Sequence, residues 1–277
     1  MSAQQAAATA SSRVWTQPLV RATGGALVLA LAAWFTYRAV EHRIVGSPHY
    51  TIDPRTIEVT EQPKWIRSDV KAEVLRDGSL DQPLNLLDDS LPERVSKAFT
   101  LHPWVAQVTS VRKRAGKGLE VELLYRRPVC MVEVPGGLYP VDADGVLLPT
   151  ADFTPQDASH YPRLTGIQTV TEGPVGTRWQ DACVQGAAQI AALLADDWAA
   201  LGLARISPLA GGPAAAGDEL SFVLYSQSGA SIVWGAATSA GDSEPTGEDK
   251  LARLKTLASA LRARNGSSPP LELRTQR

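Results

Sequence analysis

Leu101-His102-Pro103-Trp104-Val105, Val108-Thr109-Ser110-Val111-Arg112, Leu119-Glu120-Val121-Glu122-Leu123 and Arg126-Arg127-Pro128-Val129 follow one another through the middle of the chain. Pro103 has no N–H to give and disfavours helix at the residue before it, so a helix ends here. Val108, Ser110 and Arg112 then fall on one face of a strand, and Thr109, Val111 and Lys113 on the other. Gly116-Lys117-Gly118 supplies the turn. Leu119, Val121 and Leu123 alternate with Glu120 and Glu122, which gives the second strand one buried and one wet face. Pro128 closes that strand or sets it at a sheet edge. The hairpin holds no nucleophile, metal cluster or phosphate loop.

Upstream, Arg55-Thr56-Ile57-Glu58-Val59-Thr60 reads as a short strand. Ile66, Val70 and Val74 recur at helical spacing, with Gly78 where a left-handed C-terminal residue belongs. Ser90 opens a second helix, with Glu93 completing a capping box and Pro92 tolerated in the first turn. Leu91, Val95, Ala98 and Phe99 form its apolar stripe. Residues 48–127 thus read β-α-α-β-β, with two helices over one face of a small sheet.

Further upstream, residues 1–21 include an Ala-, Ser-, Gln- and Thr-rich stretch without acids, expected to be disordered. Residues 22–37 carry no charge, close to the lower limit of about 17 residues for a membrane helix. The span, placed at residues 22–40, reaches that limit if Arg21 and Arg38 snorkel and Leu19 and Val20 enter the lipid; Trp34 and Tyr37 sit where an interfacial belt belongs. Arg13 and Arg21 before the span match Arg38 and Arg43 after it, so charge gives no orientation. The short tail favours the arrangement with tail inside and body outside. A cleaved signal peptide ending near Ala30-Leu31-Ala32 and a buried soluble helix are the competing readings.

After Val129 the pattern turns to strands. Cys130 to Val134 either continues the hairpin or begins a new strand. Asp142-Ala143-Asp144-Gly145 reads as a hairpin loop rather than a calcium loop, since no flanking helix or later ligand follows. Residues 155–174 read as irregular. A long helix is expected from about Trp179 to Leu201, with Cys183, Ala187, Ile190, Leu194, Trp198 and Leu201 as its stripe. Leu203 to Leu209 reads as a strand, and residues 220–225 and 230–234 as a hairpin. A last helix is capped by Thr246 and Asp249, and Leu271-Glu272-Leu273-Arg274 is a short closing strand. Residues 128–277 therefore form a mixed or antiparallel sheet domain with helices on one face, and the fold class is α+β.

The 277 residues carry a formal net charge of −2, which argues against a nucleic-acid binder. Two cysteines, Cys130 and Cys183, make no zinc site; one bridge between them remains open outside the cytoplasm. The four histidines lie at no metal-ligand spacing, and no Gly-x-Ser-x-Gly or phosphate loop occurs. No catalytic, metal or cofactor-binding residue is singled out. Arg112-Lys113-Arg114 is best read as a basic strand end that discourages wrong pairing.

In their order and spacing, His102-Pro103-Trp104-Val105, Val108 to Arg112, Gly118-Leu119-Glu120-Val121 and Arg127-Pro128-Val129 resemble the FtsQ/DivIB family of bacterial cell-division proteins. Val141-Asp142 with Asp144-Gly145-Val146, Tyr161-Pro162-Arg163-Leu164-Thr165-Gly166 and Leu271 to Arg274 extend the resemblance from about Ala22 to the end. It departs at Arg126 (usually Glu), at Cys130 (usually Ala), at Glu61-Gln62-Pro63 and Trp65 (the usual Gly is missing), and at Thr275 (often aromatic).

The resemblance implies a cytoplasmic tail (1–21), an inner-membrane helix (22–40), a POTRA domain (48–127) and a β-domain (128–277) outside the cytoplasm. Pro103, Trp104, Val105, Arg112 and Pro128 are the POTRA signature. It also implies a scaffold of the septal division machinery without enzymatic activity, cofactor, small-molecule substrate or nucleic acid. Its partners would be FtsB/DivIC-like and FtsL-like membrane proteins, the former adding a strand at Leu271, Glu272, Leu273, Arg274 and Thr275. The residues alone admit equally that Leu271 and Leu273 simply close the core. If they form the partner site, a proline at Leu273 is expected to abolish partner binding and leave the fold intact. The competing functions are a POTRA-bearing envelope assembly or secretion component, and a periplasmic hydrolase with an unrecognised site.

Overall fold

The structure, a computed structural model, describes residues 29–38, 50–114, 118–170, 173–209, 220–237 and 245–274. It is α+β, with two hydrophobic cores that divide the chain into two lobes. Before them, α1 (29–38) is helical and apolar up to Arg38, and every one of its residues is exposed. The other residues of the expected membrane span lie outside the described ones. Among the described residues no helix is long and apolar enough to cross a membrane.

The N-terminal lobe pairs β1 (Thr51–Ile52) with β3 (Leu84–Asn85), and orders β2 (Glu58–Val59), β5 (Gly118–Tyr125) and β4 (Val105–Arg114) in a second sheet. β2 runs parallel to β5 and β4 antiparallel to it. The expected strand over residues 55–60 is shorter, because Pro54–Thr56 forms a 3-10 turn capped by Asp53. α2 (Val70–Asp77) and α3 (Leu91–Thr100) bury Val70, Val74, Leu91, Val95 and Phe99 against Val121 and Leu123.

Three local expectations are corrected. Gly78 is not left-handed (φ −80°); Ser79 takes that conformation. Gly78 is needed for space instead, since a Cβ there would stand 2.9 Å from the Ala98 Cβ. The Ser90 capping box does not form: the Ser90 N–H and hydroxyl both donate to Asp88 Oδ1, at 2.9 and 2.7 Å, so Asp88 captures them first. The strict alternation in β4 fails at Thr109, where a register shift lies between Val108 and Ser110. The extra residue puts both Val108 and Val111 on the core side, while Ser110 and Arg112 pair with Glu122 and Glu120.

The C-terminal lobe is built on a seven-stranded mixed sheet. Its order is β12 (Leu271–Glu272), β11 (Ser231–Ala236), β10 (Ser221–Ser226), β9 (Leu203–Pro208), β8 (Arg163–Leu164), β6 (Pro128–Val134) and β7 (Gly137–Asp142). Pro128 therefore begins a new strand in a new sheet. β8 pairs parallel with both β6 and β9, so two residues from the segment expected to be irregular close the centre of the sheet. α4 (Pro155–Ala158), opened by a Thr154–Asp157 capping box, precedes it.

α5 (Ala182–Leu194), α6 (Gly247–Thr256) and α7 (Ala258–Ala263) share one core with the sheet. α5 is shorter than expected; Trp198 and Leu201 are buried from the turns that follow it. The last helix forms with its Thr246 cap but breaks at Leu257 (φ −92°, ψ 3°). Cys130 is buried and Cys183 half-buried, and both are free.

Candidate functional site: the sheet edge and the lobe junction

β12 ends the seven-stranded sheet, and the residues predicted as a partner site divide between core and edge. The Leu273 side chain is fully buried, and its N–H donates to the Val233 carbonyl at 3.0 Å. Leu271 is half-buried against the same core. Glu272 is exposed and accepts from Arg274 Nε at 3.2 Å. Thr275 lies outside the described residues. Leu271 and Leu273 do close the core, yet they leave an edge behind. Backbone groups of successive strand residues point to opposite sides. With Leu273 bonded inward to Val233, the Glu272 N–H and C=O face away from β11. The expected harmlessness of Leu273→Pro is therefore corrected: proline there would remove the ladder bond and disturb the core.

The far end of this sheet and the β4 edge of the smaller one are less open. β7 is flanked by the bridge from Val141 to Leu147. β4 carries two register shifts, at Ala106 and Thr109, and ends in Arg112-Lys113-Arg114. Bulges and cations both blunt an edge against a further strand. Arg114 pairs with Glu120, and Lys113 donates to the Asp88 carbonyl at 2.7 Å.

The five residues expected to mark the N-terminal domain do not gather in one place: Pro103 and Trp104 lie where the lobes meet, and Pro128 opens β6. Val105 is in the first core, and Arg112 lies outward on β4, 3.9 Å from Glu122. Trp104 is fully buried, and its Nε1–H donates to Asp152 Oδ2 at 2.7 Å. Asp152 lies between β7 and α4, so sequence reasoning missed it. Leu148 and Phe153, from the same stretch, also enter the first core. Arg126, the departure from the family pattern, pairs with the buried Asp142 at 2.6 Å. Asp142 in turn accepts from the Asp144 and Val146 N–H groups and so holds the β7 turn. At the rim Arg67 meets Asp157, whose carboxyl is held below its ordinary range by the Thr154 hydroxyl and backbone N–H, with Arg67 adding to the effect.

Among the described residues no group of three or more His, Cys, Asp or Glu is placed to hold a metal. A cleft of about 330 Å³ between the lobes is lined by Trp65, Arg127, His160 and Tyr161, among others, and by no carboxylate.

The chain matches no protein-family model. It is 31% identical to a cell division protein FtsQ of Anaeromyxobacter sp. (strain K) over 194 residues, 67% of this chain and 56% of that relative. The chain thus spans about half the length of the relative that it matches.

Proposed function

From the premise that this chain is FtsQ/DivIB-like, we propose that it is a non-enzymatic scaffold of the septal division machinery, held in the inner membrane by residues 22–40. The N-terminal lobe is a POTRA domain, the C-terminal lobe a β-domain, and both lie outside the cytoplasm. α1 supports the anchor: it is an apolar helix whose Leu29, Trp34, Phe35 and Tyr37 are all exposed, and neither core among the described residues covers it.

The scaffold binds a small single-pass partner of the FtsB/DivIC kind, and through it an FtsL-like protein, by strand addition at β12. One observation carries this reading: the Glu272 peptide group faces outward at the open end of the large sheet, while Leu271 and Leu273 hold the strand to the core. Main-chain hydrogen bonds supply affinity in this mode, and alternate side chains supply specificity.

Glu272→Pro is the discriminating variant. It deletes the outward N–H and leaves the Leu273 bond in place, and proline is tolerated where an edge N–H faces solvent. In a membrane-fraction pull-down, Glu272→Pro loses the single-pass partner and Glu272→Ala retains it, with equal thermal unfolding midpoints. Partner capture by a folded Glu272→Pro protein contradicts strand addition.

A further inference from the structure

Contacts from the C-terminal lobe converge on Pro103-Trp104. Asp152, 5% exposed, uses its two oxygens differently. Oδ1 accepts from the backbone N–H groups of Arg67, at 2.9 Å, and Ser68, at 2.7 Å. Oδ2 accepts from Trp104 Nε1 at 2.7 Å and from the Ser68 hydroxyl at 3.3 Å. The Phe153 ring lies 6.1 Å from the Trp104 ring. On the other side of the motif, a Cβ on Gly176 (φ +91°) would stand 3.2 Å from Pro103 Cα. None of the donors to Asp152 is near it in sequence, so the arrangement does nothing for local folding.

We infer that Asp152 is a pin that fixes the angle between the lobes, with Trp104 as its receptor and Gly176 as the close contact that seats it. Lobes joined in one chain move relative to one another by default. Here such movement would strip a buried carboxylate of its donors, and a buried charge without partners is strongly unfavourable. The donors are stiff: two are backbone N–H groups and a third is an indole held in a core. The rim pair of Arg67 and Asp157 is half-exposed and adds little. The pin makes the junction two-state, seated or released, so the β12 edge keeps one position relative to the N-terminal lobe. Asp152, Trp104 and Gly176 are positioning residues; they touch no partner.

The test is an interlobe distance distribution, measured by paired spin labels at Gln107→Cys and Gln227→Cys in the full chain in nanodiscs. The background carries Cys183→Ala, and the buried Cys130 takes no label. The unpinned protein is Asp152→Asn, nearly isosteric, which sets an amide N–H₂ against the Trp104 N–H. A narrow distribution in the parent and a several-fold wider one in Asp152→Asn, with the amide spectra of both lobes still dispersed, is the expected result. Trp104→Phe broadens it less, and adding it to Asp152→Asn broadens it no further, because both act on one contact. Gly176→Ala, remote from the carboxylate, also broadens it. An unchanged distribution in Asp152→Asn and Gly176→Ala overturns the inference. So does unfolding of either lobe in both variants, which would make these residues folding determinants rather than a pin.

Discussion

Trp104 and Asp152 each meet a need that the other supplies. A buried indole N–H requires an acceptor and a buried carboxylate requires donors, and hydrogen bonds to a charged group contribute about 1.5–3 kcal/mol. From sequence, Trp104 in Pro103-Trp104-Val105 is legible as a core aromatic. Its partner is not, because Asp152 is one acid among many and carries no periodic signal. Arg126 is a similar case: as a departure from a family pattern it has no visible reason until Asp142 is found 2.6 Å away.

Cys130 gives a pH prediction at this scale. Burial, with the nearby Asp142 charge adding to it, pushes its thiol from the ordinary 9.0 up to about 12. The folded protein keeps the proton after the unfolded chain has released it. The stabilisation is therefore full below pH 9.0 and is lost as pH rises toward about 12. Urea unfolding midpoints at about pH 8 and about pH 10.5 should fall further in the parent than in Cys130→Ala. Equal slopes would remove Cys130 from the account. Gly78 gives a packing prediction: Gly78→Ala forces a methyl against Ala98 and the Val74 carbonyl, each 2.9 Å from the new carbon. The expected loss is about 1–3 kcal/mol of unfolding free energy in urea titration. The usual helix-favouring gain of alanine over glycine, about 1 kcal/mol, would be the opposite outcome.

Among elements, the hairpin of β4 and β5 was the most legible, because Leu119, Val121 and Leu123 alternate over a full strand and all three are buried. β4 was legible only in outline. One inserted residue at Thr109 moves Val111 to the core side, and alternation alone carries no sign of an insertion. β8 was not legible at all. Two residues, Arg163 and Leu164, hold no period, and only their place between β6 and β9 makes them a strand. The last helix read as one because its stripe continues through Leu261, yet the chain turns at Leu257. The edges follow the same division. The basic run on β4 reads directly as a blunted edge, whereas the outward direction of Glu272 depends on the Leu273 bond to Val233.

At the scale of the whole molecule, sequence composition shows the change near Val129 from a helix-bearing lobe to a strand-rich one, and Pro128 opens β6 at that change. The reach of residues 148–153 back into the first core was hidden, since it depends on long-range packing. That reach makes the molecule a two-core body with a stapled joint rather than two lobes on a linker. In the function proposed, the joint is the support and the β12 edge is where the partner binds. Amide hydrogen exchange at Glu272, with and without the single-pass partner bound, tests that claim most directly. Strand addition predicts that the Leu273 amide is already slow in the free protein and that Glu272 exchanges fast until the partner slows it by orders of magnitude. A Glu272 amide that exchanges equally fast in the bound complex would contradict the account.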